Sequence, residues 1–316
     1  MRSKLRPSIA VLPVLLLTLW SAAPAGLRAQ APADTSATAR WFPHGSPFPS
    51  LLADPREVGL RGSFIAADRP GLESSGAVPV NGPANGGGDY AGRNIEAAVA
   101  IGYRFGLVSF QREAAGRPAA QLGFEVGTFS RFFMESAQKD LIDVTYRVGL
   151  PLSLAYRGWQ ARLELLHESS HVGDDYLARF GFPRRTDDQV SREGFELLVA
   201  RCLPGDFRVY AGGDANFHAN EEVERTDVRV GGEWDPTPTD GRGQGARLAA
   251  WPYAGADFFL SQKNDRVAGT GVAGLGMRVE GVTVRLEARG HYGPSTMGQF
   301  RNVSETFSGL GLRVEP

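Results

Sequence analysis

The sequence predicts an all-β fold, a transmembrane antiparallel β-barrel of about twelve strands preceded by an irregular arm rich in proline and aromatic residues. Three observations carry this expectation. Apolar residues alternate with polar ones in segment after segment, with the period of two that a strand imposes. Glycine is abundant at 40 residues, while no apolar run beyond the amino terminus is long enough to cross a bilayer as a helix. The connections sort into a mostly short set and an opposite long set, as in barrels of outer membranes.

The chain opens on an export signal, expected over residues 1–29. Arg2, Lys4 and Arg6 form a basic start, Ile9 to Trp20 a short apolar run, and small residues lead up to Ala29. Removing Arg2, Lys4, Arg6 and Arg28 takes the formal net charge of −1 to about −5, an acidity that argues against nucleic acid as a partner. Roughly 285 residues then remain, enough for one large β domain. The single cysteine, Cys202, has no partner in the chain, so the fold must be stable without an internal disulfide.

Residues 30–57 read as a disordered start followed by an irregular periplasmic arm. Within residues 41–57, Trp41, Phe42 and Phe48 stand among four prolines, a mixture that forms neither regular strand nor helix but needs a surface to pack on. The barrel is expected over residues 58–316. Its strands are Val58–Ala66, Asn94–Gln111, Ala119–Phe133, Leu141–Tyr156, Trp159–His171, Arg192–Cys202, Phe207–Phe217, Thr226–Trp234, Arg247–Leu260, Ala268–Val279, Val282–Tyr292 and Val303–Val314. Arg157-Gly158 is a two-residue hairpin turn, and tight turns recur around Gly116, Gly205 and Gly281. Long loops lie at residues 68–92, 172–190 and 293–302, and Asp235 to Gln244 is a longer connection on the short side.

Alternation also sorts the faces. Between Val282 and Tyr292, Val284, Leu286 and Ala288 share one face with Tyr292, while Arg285, Glu287, Arg289 and His291 share the other. In a barrel the apolar face meets lipid and the charges fill the lumen, where Arg147, Arg162, Glu164, Arg285, Glu287 and Arg289 are expected. Filled in this way, twelve strands leave little room for free diffusion of large solutes.

Chemistry concentrates in Arg162 to Tyr176, where two histidines, two serines and four acids fall within fifteen residues. His167-Glu168-Ser169-Ser170-His171 fits H-E-x-x-H, for which Glu193 or Glu196 would be a third ligand. That metal site requires a helix, and on a strand His167 and His171 stand roughly 13 Å apart, too far for one zinc. No metal is therefore assigned. His167 and Ser169, two residues apart, would share a face with Leu163 and Leu165 on the lipid side. That pairing suits a histidine-activated serine acting on envelope lipid, with Glu196 of the following strand as the orienting acid. The blander reading is a polar rim belt of Ser170, His171, Asp174 and Asp175, in contact with outer-membrane lipid and lipopolysaccharide; a divalent cation is a ligand such a belt accepts, and no organic cofactor is expected. A β-bulge near Leu165-Leu166 would instead turn the histidines inward. Gly269 to Gly274 fits G-x-G-x-x-G but lacks the strand–turn–helix context of a nucleotide site.

Four motifs in order carry a resemblance: Trp41-Phe42-Pro43 with Leu51 to Arg56; Tyr146 to Pro151; His167 with Ser169 to Asp174; and Gly298-Gln299-Phe300. With them the chain resembles domain-of-unknown-function family 1207, regarded as bacterial outer-membrane barrels. The resemblance implies fold and location, and no activity. The H-x-S segment also looks similar to that of the outer-membrane lipid A 3-O-deacylases. The expected functions, in order, are a structural or lipid-interacting barrel, an envelope-lipid hydrolase, a narrow passage for small polar solutes, and a zinc protease.

Overall fold

The computed structural model describes residues 38–69, 93–111, 118–180, 190–220, 223, 225–237, 250–261 and 266–315. The expected signal, the first residues of the arm, most of the loop at 68–92 and the second half of that at 172–190 lie outside the described residues. In chain order the elements are β1 (Thr38–Trp41), β2 (Leu60–Asp68), β3 (Arg93–Gln111), β4 (Ala119–Phe133), β5 (Leu141–Tyr156), β6 (Trp159–Val172), the short helix α1 (Asp174–Phe180), β7 (Val190–Leu203), β8 (Phe207–Ala219), β9 (Asp227–Trp234), β10 (Ala250–Ser261), β11 (Arg266–Val279), β12 (Val282–Pro294) and β13 (Ser304–Glu315). Each strand from β2 to β13 pairs antiparallel with its neighbours in sequence, and β2 pairs with β13, so twelve strands close on themselves. Closure removes the open sheet edges that a bilayer does not tolerate.

The tight connections gather at one end, with the start of β2 and the end of β13. Arg157 and Gly158 both have positive φ, as do Glu280 and Gly281, the backbone of the two-residue turn that matches strand twist. Longer connections, including α1, stand mostly at the opposite, loop end; the long connection between β9 and β10 is the exception. The faces divide as alternation requires. Phe64, Ile101, Leu150, Leu163, Leu197, Val230, Leu286 and Leu312 are exposed on the outer wall, whereas Glu125, Arg147, Arg162, Glu164, Glu196, Arg285, Glu287 and Arg289 are buried within. Arg147 lies 3.0 Å from Glu125 and 3.1 Å from Glu164, and Arg162 pairs with Glu57 at 3.0 Å and Glu196 at 2.8 Å. Interior guanidinium and carboxylate groups must be paired in this way, since one left alone would carry its full desolvation cost. Gly149 makes room for the arrangement, because a Cβ there would overlap the Glu164 carboxylate.

The arm corrects two expectations. Its described start is ordered, since Thr38–Trp41 pairs with the last residues of β3 as a thirteenth strand. The later part of the arm lies inside the barrel and not below it: Phe48, Leu51, Leu52, Ala53, Asp54 and Glu57 are all buried. Having no strand partner, this segment leaves its carbonyls to the lumen arginines. Arg208 donates to Pro49 O and Ser50 O, Arg289 to Leu52 O, and Arg313 to Leu51 O, at 2.9 to 3.0 Å. Asp54 receives two bonds from Arg229, at 2.7 and 3.1 Å. Phe48 packs on Leu198, Ala200 and Tyr210, with the Arg162 and Arg208 guanidinium groups beside its ring.

At the loop end, residues 295–303 fold inward over the mouth. Met297 and Phe300 form an apolar cluster with Phe133, Ile142 and Tyr176 of α1. Burial in this cluster pushes the Tyr176 phenol up to about 12. The Gln299 amide donates to Ser170 O at 2.6 Å, and its backbone N–H donates to Asp143. The helix was not expected from sequence. Its first turn carries Asp174 and Asp175, which suit a helix amino terminus.

Candidate functional site on the outer wall

β6 keeps strict alternation along its length. Arg162, Glu164, Leu166, Glu168 and Ser170 are buried in the lumen, and Leu163, Leu165, His167, Ser169 and His171 alternate with them on the outer wall. Its register with β5 is unbroken, so the bulge considered near Leu165-Leu166 does not occur. His167 and Ser169 thus sit on the membrane-facing side, toward the loop end, just above the apolar band of Leu163 and Leu165.

Cross-strand neighbours complete the site. His167 lies opposite Val148 of β5 and Glu193 of β7, and Ser169 lies opposite Tyr146 and Ser191. His167 Nδ1 is 2.8 Å from Glu193 Oε1. An ionised carboxylate only accepts, so Nδ1 carries the proton, and in the neutral ring Nε2 then presents its lone pair to the surroundings. The His218 Nδ1 meets the other Glu193 oxygen. His218 reaches it through a β-bulge: Glu193 pairs with His218 and Gly194 with Asn216, leaving Phe217 unpaired. The extra residue puts Phe217 and His218 both on the outer wall, with the Phe217 ring 5.6 Å from that of Phe195. His171 rests edge-on against Tyr146 at 6.0 Å. An ordered imidazole–carboxylate–imidazole row on an otherwise apolar wall can abstract and return protons beside the Ser169 hydroxyl.

Several sequence expectations need correction. Glu196 does not orient His167. It points inward to Arg162, and Glu193 takes the place assigned to it. The rim residues do not form one cluster. Ser170 is fully buried, donating to Asp143 at 3.1 Å and lying 2.8 Å from Thr145 Oγ1, while His171 stands on the other side of the wall and Asp174 and Asp175 are exposed on α1. Glu168 of the H-E-x-x-H pattern lies inside, paired with Arg56 at 2.7 Å and Arg192 at 3.2 Å. The segment is a strand, which separates its two histidines as a zinc protease does not allow. Among the described residues no group of three or more His, Cys, Asp or Glu is arranged to hold a metal ion. Arg147, Arg162, Glu164, Arg285, Glu287 and Arg289 all lie in the lumen, Arg285 pairing with Asp235 at 2.7 Å and Glu315 at 2.9 Å.

Sequence reasoning passed over Glu193 as an orienting acid, and it missed His218 altogether. Parity along β7 could have distinguished Glu193 from Glu196, because Phe195 and Leu197 mark the outer face and Glu193 shares it. Nothing comparable pointed to His218, whose direction depends on the bulge.

This chain belongs to the family described as Protein of unknown function (DUF1207), whose model matches residues 27–315. No curated protein matches it significantly. Among solved structures it is similar to outer membrane phospholipase A from Escherichia coli, with 14% identity and a TM-score of 0.50, over 82% of this chain and 90% of that one. The Salmonella typhi outer membrane phospholipase, solved as a dimer with bound calcium, is similar to the same degree: 14% identity, TM-score 0.50, and 82% and 90% of the two chains. At this identity the likeness establishes the outer-membrane barrel fold.

Proposed function

We propose that this family member is an outer-membrane lipid hydrolase that cleaves acyl esters at the outer wall of its barrel. The observation that carries the reading is the Glu193–His167 pair, 2.8 Å apart on the membrane-facing side, with Ser169 on the same face two residues on. Glu193 fixes the tautomer of His167, leaving Nε2 as the base for the Ser169 hydroxyl. Ser169 Oγ attacks the ester carbonyl while His167 takes its proton. The tetrahedral adduct collapses to an acyl-serine, and His167 returns the proton to the departing alkoxide. Water, deprotonated in turn by His167, then releases the fatty acid and restores Ser169.

Position argues for a lipid substrate. The site lies on the wall that meets acyl chains, and a polar row there would otherwise be costly. With the short turns on the periplasmic side, as in outer-membrane barrels generally, the site falls in the outer leaflet. A phospholipase of the same barrel fold supports the chemistry. The lumen speaks against a solute passage, because the arm occupies it and the 295–303 segment folds over its mouth.

Fatty-acid release from vesicles of lipopolysaccharide, and separately of phosphatidylethanolamine, tests the reading and distinguishes the two lipid sources. Activity on either that disappears in Ser169→Ala is expected. A folded wild-type barrel that releases nothing from both leaves a non-catalytic lipid-interacting barrel.

A further inference from the structure

We infer that His218 is a positioning residue for this site: by binding the second oxygen of Glu193 it holds that carboxylate in place against His167. The inference rests on the hydrolase reading for its kinetic consequences, but its structural core is independent of turnover.

Two observations carry it. Glu193 is a single carboxylate shared by imidazoles from the strands on either side, Oε1 to His167 and Oε2 to His218. The second is the bulge. By strict alternation from Phe217, His218 would face the lumen, and the unpaired Phe217 shifts the register by one so that His218 joins the outer face. Such a bulge sacrifices a regular pair in the ladder and leaves a further polar side chain on the lipid-facing wall. What it secures is a donor for the Glu193 oxygen that His167 leaves unused. Held at one oxygen only, a glutamate of three rotatable torsions can swing away from His167; held at both, it cannot.

Among the described residues, the titratable groups of this part of the outer face are His167 and His171 on β6, Glu193 on β7 and His218 on β8, with Tyr146 on β5 beside His171. Arg192 and Asp214 on the same strands pair with each other at 2.7 Å on the inner side, Asp227 of β9 is buried, and Arg225 lies in the β8–β9 connection. Among the described residues no other charged side chain on that face lies between His218, Glu193 and His167. Without His218 the Glu193 carboxylate keeps one bond only and is free to turn from His167, which leaves the tautomer of that ring unfixed.

The test uses the full barrel in detergent micelles, comparing His218→Ala, His218→Asn and Glu193→Gln with wild type. Asparagine is the informative replacement, because its amide nitrogen lies near where histidine carries Nδ1. Nitrogen-15 NMR of the His167 ring, which reports whether Nδ1 or Nε2 carries the proton, reads the proposal whether or not lipid is turned over. His218→Ala is expected to turn a ring protonated at Nδ1 into a mixture of tautomers, His218→Asn to restore the single tautomer, and Glu193→Gln to weaken the preference as His218→Ala does. With a p-nitrophenyl acyl ester as probe, His218→Ala should lower kcat about tenfold at unchanged KM, with recovery in His218→Asn. A His167 tautomer indifferent to His218→Ala in a folded barrel overturns the proposal. Absence of turnover in wild type, with the tautomer responding as described, overturns the hydrolase reading alone.

Discussion

Glu193 and Glu196 stand three residues apart on β7 and on opposite sides of the barrel wall. Glu193 lies 2.8 Å from His167 outside, and Glu196 lies 2.8 Å from Arg162 inside. An odd separation on a strand divides two side chains in this way wherever no bulge intervenes. The consequence is that one carboxylate belongs to a surface exposed to lipid and the other to a sealed ionic interior, so the two should respond differently to replacement.

Glu193→Ala should leave the barrel folded and lower ester hydrolysis by about 10² or more, the scale of an oriented general base. Glu196→Ala should instead destabilise the barrel by about 3–5 kcal/mol, because it strips a partner from buried Arg162. Fatty-acid release and urea unfolding, run on both variants, check this. Equal effects on activity with no difference in stability would contradict the division of roles.

The neighbouring serines should separate in the same manner. Ser169→Ala is expected to be fully folded and inactive. Ser170→Ala loses the buried bonds to Asp143 and Thr145 and should cost about 1–3 kcal/mol, while hydrolysis per folded molecule persists. Thermal unfolding in detergent, alongside the ester assay, distinguishes them.

Removing the arm should open the lumen. The wild-type barrel is expected to be silent in planar bilayers, and deletion of residues 43–56 should give a steady conductance. Arg208, Arg229, Arg289 and Arg313 would lose the carbonyl and carboxylate groups the arm offers them, so the opened pore should favour anions. A silent deletion variant that folds would show that something else closes the passage.

The cap can be unseated by one side chain. A Cβ at Gly298 would overlap Ser170 and come within 3.1 Å of Thr145 Oγ1. Gly298→Val should therefore lift Gln299 from Asp143, expose the 295–303 segment to protease and destabilise the barrel by about 1–3 kcal/mol. A cap as resistant to protease as that of wild type would refute this.

Acid stability should report on the arm. Burial works against ionisation of Glu57, but Arg162 and Arg104 outweigh it and hold its carboxyl well below the ordinary value of 4.5. For a lowered pKa the stabilisation is complete above 4.5 and is lost progressively as pH falls below it. Glu57→Gln should flatten the decline in Tm between about pH 5 and pH 3 relative to wild type. Parallel curves for the two proteins would count against this pairing.

What the sequence determined by itself is what a period of two can encode. Leu163 and Leu165 mark the outer face of β6, and counting on by twos places His167 and Ser169 there; the same counting put Arg285, Glu287 and Arg289 inside. Parity is local, fixed by backbone geometry whatever the partner strand. Only the tertiary structure decided which residue stands across from which. Residues 173–189 are too long a connection to set the β6–β7 register as a two-residue turn does, so Glu193 could not be matched to His167 in advance. The bulge at Phe217 changes parity without leaving a mark in the hydrophobic pattern. The arm has no period at all: its prolines exclude regular structure, and its place in the lumen comes from unpaired carbonyls and arginines that need each other across more than a hundred and fifty residues of chain.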